Sequence, residues 1–161
     1  MLVQILIIYF GLGQMLRPTG FRWLNIGGTF TAGTVALSLN AGAYMAEIVR
    51  GGIEAVDKGQ IEAARSLGLT YGKTMKKIVL PQALRTMLPS IINQFIISIK
   101  DTSLLSVIGL TELTNVGKTI AATQSAHMMV IYCFMACYYL LICTVLAQVS
   151  KVVEKRLSYG K

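Results

Sequence analysis

Between Met128 and Val149 the chain runs for 22 residues without a charged side chain. A helix rises about 1.5 Å per residue and the hydrocarbon core of a bilayer is about 30 Å thick, so roughly 20 apolar residues make one crossing. A run of this kind commits the chain to lipid. Composition agrees, with 54% hydrophobic residues and a mean hydropathy of +0.62 over 161 residues, where roughly 45–50% apolar is usual for a soluble domain. That length accommodates about four crossings and one substantial loop, and argues against a large extramembrane domain.

The other apolar runs are less clean. Met1 to Leu16 is uncharged and reads as a short or incomplete span. Arg17, Pro18, Gly20 and Arg22 break it, and Trp23 suits the aromatic belt at a membrane interface. Ile26 to Val49 is apolar and rich in small residues, among them Gly27, Gly28, Ala32, Gly33, Ala41, Gly42 and Ala43, which in lipid favour close helix approach. Asn40 lies inside this run, and Glu47 and Arg50 end it with an i, i+3 spacing suited to pairing. Apolar sequence resumes from Thr86 to Ile99, is interrupted by Lys100-Asp101, and continues as TSLLSVIGL. Thr111 to His127 is polar and reads as an external segment. Met1 is followed by apolar sequence with no basic n-region or small-residue cleavage site, so no cleavable signal peptide is read.

Charge orients these spans. Residues 50–85 carry seven basic side chains against three acids, and together with the tail they hold eleven of the fifteen Lys and Arg residues. Two spans separate loop and tail, so both fall on one side, and the positive-inside rule makes that side cytoplasmic. The net charge of +8 is therefore topological. It lacks the aromatic interleaving or recognition motif of a nucleic-acid binder, and no nucleic-acid partner is expected. Cys133, Cys137 and Cys143 all lie in the last apolar run and read as packing residues rather than metal ligands. No Ser/His/Asp or Cys/His arrangement points to covalent catalysis. Expected, then, is an all-α, polytopic membrane protein forming a single domain over residues 1–161.

The polar island carries the most specific pattern. Glu62-Ala63-Ala64 is followed by three residues, then Gly68, then nine residues before Ile78, Leu80 and Pro81. Glu, Ala, Arg and Leu favour a short helix over 61–67, with Gly68 as its left-handed cap. Ala63 and Ala64 keep its surface small enough for another protein to approach, and Glu62 and Arg65 can brace it. Pro81 is suited to the first turn of the following span. GLTYGKT, Gly68 to Thr74, imitates a phosphate loop, but three residues separate its glycines where the motif needs four, and no strand precedes it. ATP is therefore not expected to bind this chain.

This spacing resembles the EAA signature of the membrane subunits of bacterial ATP-binding-cassette importers, the type I permeases. NAGAYMAEIVRGGI (Asn40–Ile53) and KDTSLLSVIGLTEL (Lys100–Leu113) are similar to segments of their polar amino-acid branch, the histidine, arginine, glutamine and cystine systems, and the similarity runs from about Met1 to Leu157. The resemblance implies an inner-membrane permease whose coupling residues are Glu62, Ala63, Ala64, Arg65, Gly68, Ile78, Leu80 and Pro81. It further implies a cytoplasmic ATP-binding subunit that uses ATP and Mg, a second permease subunit, an external solute-binding protein and an amino-acid substrate. No cofactor is implied for the chain itself. Lys100, Asp101, Thr102 and Ser103 map near the substrate path, to which Asn40 is added. From the residues alone Lys100 and Asp101 have two readings: one faces a path while a neighbouring helix braces the other, or both snorkel to the external interface as a structural pair. Family members usually begin with a further span, so the resemblance also implies that a first N-terminal span is lacking, by loss, truncation or a misplaced start. That departure motivates the competing expectation of a non-transporting scaffold. A stand-alone channel leaves the EAA pattern unexplained.

Overall fold

A computed structural model describes residues 1–158, with the side chains of Ser125, Val153, Glu154, Arg156, Leu157 and Ser158 left aside. Lys161 of the basic tail lies outside the described residues. All regular structure among them is helical. The principal runs are α1 (Leu2–Met15), α2 (Gly28–Glu54), α3 (Lys58–Ser66), α4 (Tyr71–Ile108), α5 (Leu113–Thr123) and α6 (Met128–Ser158). By length and composition α4 and, within α6, Met128–Val152 are long and apolar enough to cross a membrane, while α1 is apolar but shorter.

Local chemistry sets these boundaries. α1 stops where Pro18 enters a 3₁₀ turn, Arg17–Thr19, and Gly20 at φ 80° turns the chain away. The segment expected as a cytoplasmic loop, 50–85, is instead almost wholly helical, since α2 continues to Glu54 and α4 already begins at Tyr71. Pro81 does stand in the first turn of an α-helical segment, Leu80–Asp101, but that segment continues an earlier helical run instead of starting afresh. It follows a π-helical segment, Met75–Val79, in which the Leu80 N–H bonds back to Met75 O. Widening the turn ahead of Pro81 lets the helix pass the residue that has no donor. The polar stretch expected on the external side, Thr111 to His127, contains α5.

The chain divides into two compact units. The first comprises Met1–Gly42 and Ile96–Leu146. Its core joins Ile5 and Ile8 of α1 to Ala36 of α2 and to Leu105 and Ile108 at the 3₁₀ end of α4. Small residues permit this approach: a Cβ at Gly33 would stand 3.0 Å from Leu105 Cδ1, and Ala32 and Ala36 are buried. Lipid tails are as apolar as leucine, so such helices are held by close dispersion contact more than by the hydrophobic effect. The small-residue stripe does this only in its first half, because Gly42 meets nothing within 4 Å.

α5 belongs to the same unit and is fixed at its start by Glu112. Its Oε2 accepts from Thr114 N at 2.8 Å and its Oε1 from Asn115 N at 2.7 Å, while Tyr139 OH donates to Oε2 at 3.3 Å. Two orphan donors of the first turn are thus satisfied by one carboxylate. Glu112→Ala is expected to lower stability by about 1–2 kcal/mol, read as a lower melting temperature of the purified complex, with Tyr139→Phe costing less. Equal melting of Glu112→Ala and wild type would contradict this role.

The second unit comprises Ala43–Phe95 and, of the described tail, residues 147–158. Val56, Val79, Ala83 and Met87 form its core, with Ile48, Ile53, Ile61, Met75 and Ile91 packed against it.

Candidate functional site

The second unit carries the EAA residues. α3 has nine residues, which is marginal for a helix in isolation, and it is secured at both ends. Asp57 is the N-cap, its Oδ1 accepting from Gly59 N at 2.7 Å. At the other end Leu69 N donates to Ala64 O at 3.2 Å and Gly68 N to Arg65 O at 2.9 Å. With Gly68 at φ 79° this is a Schellman motif, which satisfies the last carbonyls and turns the chain sharply. The cap expected at Gly68 is present, whereas Asp57 is missed by the sequence reading although an Asp ahead of a helix-forming run is a recognisable signal.

Burial sorts the motif. Ala64 is 2% exposed and Ile61 packs on the unit's core, so one side of α3 is anchored. Glu62, Ala63, Arg65 and Gly68 are exposed. Glu62 and Arg65 form no ion pair among the described residues. Leu67, 83% exposed, and Tyr71, 63% exposed, stand beside them as large side chains without cover. Neither is singled out by the EAA pattern, and the only signal for Leu67 is an apolar residue directly ahead of the cap glycine. Ile78 is half-buried, while Leu80 and Pro81 are exposed on the first part of α4. The expected pairing of Glu47 with Arg50 is replaced by Arg50 Nε–Glu54 Oε1 at 3.6 Å. Because α2 continues through Glu54, the i, i+4 partner is in reach, and at this exposure the pair contributes little.

The residues expected near a substrate path, Asn40 and Lys100–Ser103, lie in the first unit. Asn40, half-buried, is on α2. Lys100 and Asp101 close the α-helical part of α4, and Thr102 opens its 3₁₀ end. Lys100 is exposed while Asp101, Thr102 and Ser103 are half-buried. Thr102 Oγ1 donates to Ile99 O at 2.6 Å and Ser103 Oγ to Lys100 O at 2.7 Å. These hydroxyls thus satisfy carbonyls freed where the helix tightens, and each oxygen keeps its acceptor capacity. No hydrogen bond among the described residues joins Asn40 to this group.

Among the described residues the structure is thus all-helical, with two helices long and apolar enough to cross a membrane and a short doubly capped helix that presents polar side chains. The family of binding-protein-dependent transport system inner membrane components matches residues 1–159, and the chain belongs to that family. It is 44% identical over 155 residues to the glutamine transport system permease protein of Escherichia coli, covering 96% of this chain and 68% of that protein. Against the arginine transport system permease protein of Bacillus subtilis it is 40% identical, covering 98% and 68%. A crystal structure of an amino acid ABC transporter with histidines superposes with a TM-score of 0.85 at 38% identity, over 96% of this chain and 68% of that one. These relatives fall in the polar amino-acid branch that the Asn40–Ile53 and Lys100–Leu113 segments resemble.

Proposed function

We propose that the chain is the transmembrane subunit of an ATP-driven importer of polar amino acids, and that α3 is the element through which a separate cytoplasmic ATPase drives it. The observation that carries this reading is α3 itself: a rigidly capped helix, anchored by Ala64, that leaves Glu62, Ala63, Arg65 and Gly68 open to a partner. α1, α2, α4 and α6 are read as the crossings. At 38 residues α4 is about 57 Å long, far more than one crossing needs, so its first turns, with Lys73, Lys76 and Lys77, extend into the cytoplasm beside α3. The concentration of Lys and Arg in 50–85 and in the tail supports that orientation.

On this reading the chain is one permease domain that pairs with itself or a related permease to enclose the path, and takes cargo from an external solute-binding protein. Hydrolysis, with its ATP and Mg, belongs to the ATPase. The names of the relatives, permeases for glutamine and arginine, support a polar amino acid as cargo. Lys100, Asp101, Thr102, Ser103 and Asn40 are the path candidates, and Asp101 is the carboxylate among them that can meet a cationic α-amino group. Asp101→Asn is expected to lower uptake by about tenfold while the complex still assembles, an ionised acceptor forming roughly twice as strong a hydrogen bond as a neutral one. Wild-type uptake kinetics in that variant would remove Asp101 from the path.

A further inference from the structure

At the C-terminal end of α1 a cavity of about 480 Å³ is lined by Tyr9, Phe10, Gln14, Arg17, Arg22 and Trp23, among others. Its walls are set by specific contacts. Trp23 Nε1 donates to Tyr9 O at 3.0 Å, and the indole lies so close to α1 that a Cβ at Gly13 would stand 2.9 Å from Nε1. The Phe21 ring meets Trp23 edge-on with centroids 5.1 Å apart. Arg17 opens a 3₁₀ turn closed by Gly20 at φ 80° and by Thr19 Oγ1 donating to Leu16 O at 2.6 Å. Both arginines therefore sit on a loop of fixed shape, and no carboxylate lines the cavity.

The chemistry of this place is specific. Indole and phenol rings settle at the membrane interface, where one end of the side chain is apolar and the other wet. Guanidinium groups bind phosphate through two parallel hydrogen bonds and are more weakly hydrated than ammonium, which suits a site at the edge of lipid. On the cavity's lining large apolar side chains lie open, Leu24 at 84% and Phe10 at 55% exposure. A soluble anion would leave that apolar surface uncovered, whereas acyl chains below a headgroup would cover it.

We propose that this cavity holds the phosphodiester headgroup of an anionic phospholipid, with Arg17 and Arg22 on the phosphate and Trp23 and Phe10 against the glycerol and upper methylenes. The site is separate from the transport reading, and its failure would leave that reading intact. The test uses the assembled transporter in detergent, with phosphatidylglycerol as the probe and bound lipid counted by native mass spectrometry. Wild type is expected to retain phosphatidylglycerol over phosphatidylcholine. Arg17→Gln or Arg22→Gln should weaken binding about 5-fold, and the pair together about 25-fold, as expected for one basic side chain each at an anionic surface. Gly13→Leu, which drives Trp23 from its seat, should weaken binding with both charges kept. The pair Lys76→Gln/Lys77→Gln, remote in sequence, should leave it unchanged. Equal retention by the Arg17/Arg22 double variant, equal loss in the lysine pair, or displacement of the lipid by inorganic phosphate would overturn the proposal.

Discussion

Replacing Gly68 by valine is expected to leave membrane insertion intact and to cut substrate-stimulated ATP hydrolysis by the assembled transporter about 5- to 30-fold. Gly68 stands at φ 79°, and a Cβ added there would meet nothing within 4 Å, so the effect is conformational and not a clash. A left-handed backbone costs an L-residue about 1–2 kcal/mol, and more for a β-branched one. On a nine-residue helix whose far side is open, that strain is relieved by unwinding the last turn and losing the Leu69 N to Ala64 O bond. An energy of this size depletes the docking-competent form by the stated factor. Gly68→Asn separates the explanations, because Asn tolerates the left-handed region and should keep most of the coupling. Wild-type coupling in Gly68→Val would show that the shape of this cap does not matter to the partner.

Gly52→Leu is expected to act on stability, through packing in the second unit. A Cβ at Gly52 would overlap Met87 Cγ and lie 2.9 Å from Met87 Sδ and 3.4 Å from the Ala83 carbonyl oxygen. Met87 is 3% exposed and Ala83 fully buried, so neither can move aside freely. Overpacking of this kind costs about 1–3 kcal/mol, and leucine belongs at the upper end because its branch must force α2 from α4. A low yield of folded complex and a clearly lowered melting temperature are the expected readouts. Pairing the smaller change Gly52→Ala with Met87→Ala should recover much of the loss. A Gly52→Leu variant that melts with wild type would refute the close approach.

Features fixed by neighbours in the chain were legible in the sequence. The cap at Gly68 follows from helix formers that end at a glycine, and the long apolar helix of α6 from 22 uncharged residues. Where two local solutions compete, the sequence is less decisive. Pro81 suits a first turn, but a π-helical segment ahead of it carries the helix through, and nothing in the residue pattern marks that wider turn. Arg50 has acids at both i−3 and i+4, and which pairs depends on where α2 ends. Glu112 is not among the preferred N-cap residues, and its second partner, Tyr139, lies 27 residues away. Long-range contacts of that kind have no local signature. The same holds for the hydrogen bond from Trp23 to Tyr9, which nothing around Trp23 in the sequence marks. In the small-residue run of α2 composition names the candidates, yet only the fold shows that Gly33 meets Leu105 and that Gly42 meets nothing.

The central claim is that this chain moves polar amino acids when an ATPase drives it through α3. The most direct measurement is uptake of a radiolabelled amino-acid panel into proteoliposomes holding the chain with its permease partner and ATPase, supplied with the binding protein, in the presence and absence of ATP. The account predicts ATP-dependent accumulation of at least one polar amino acid against its gradient, abolished when the cap at Gly68 is broken. Flux that persists without ATP, or an assembled complex that accumulates none of the panel, would contradict it.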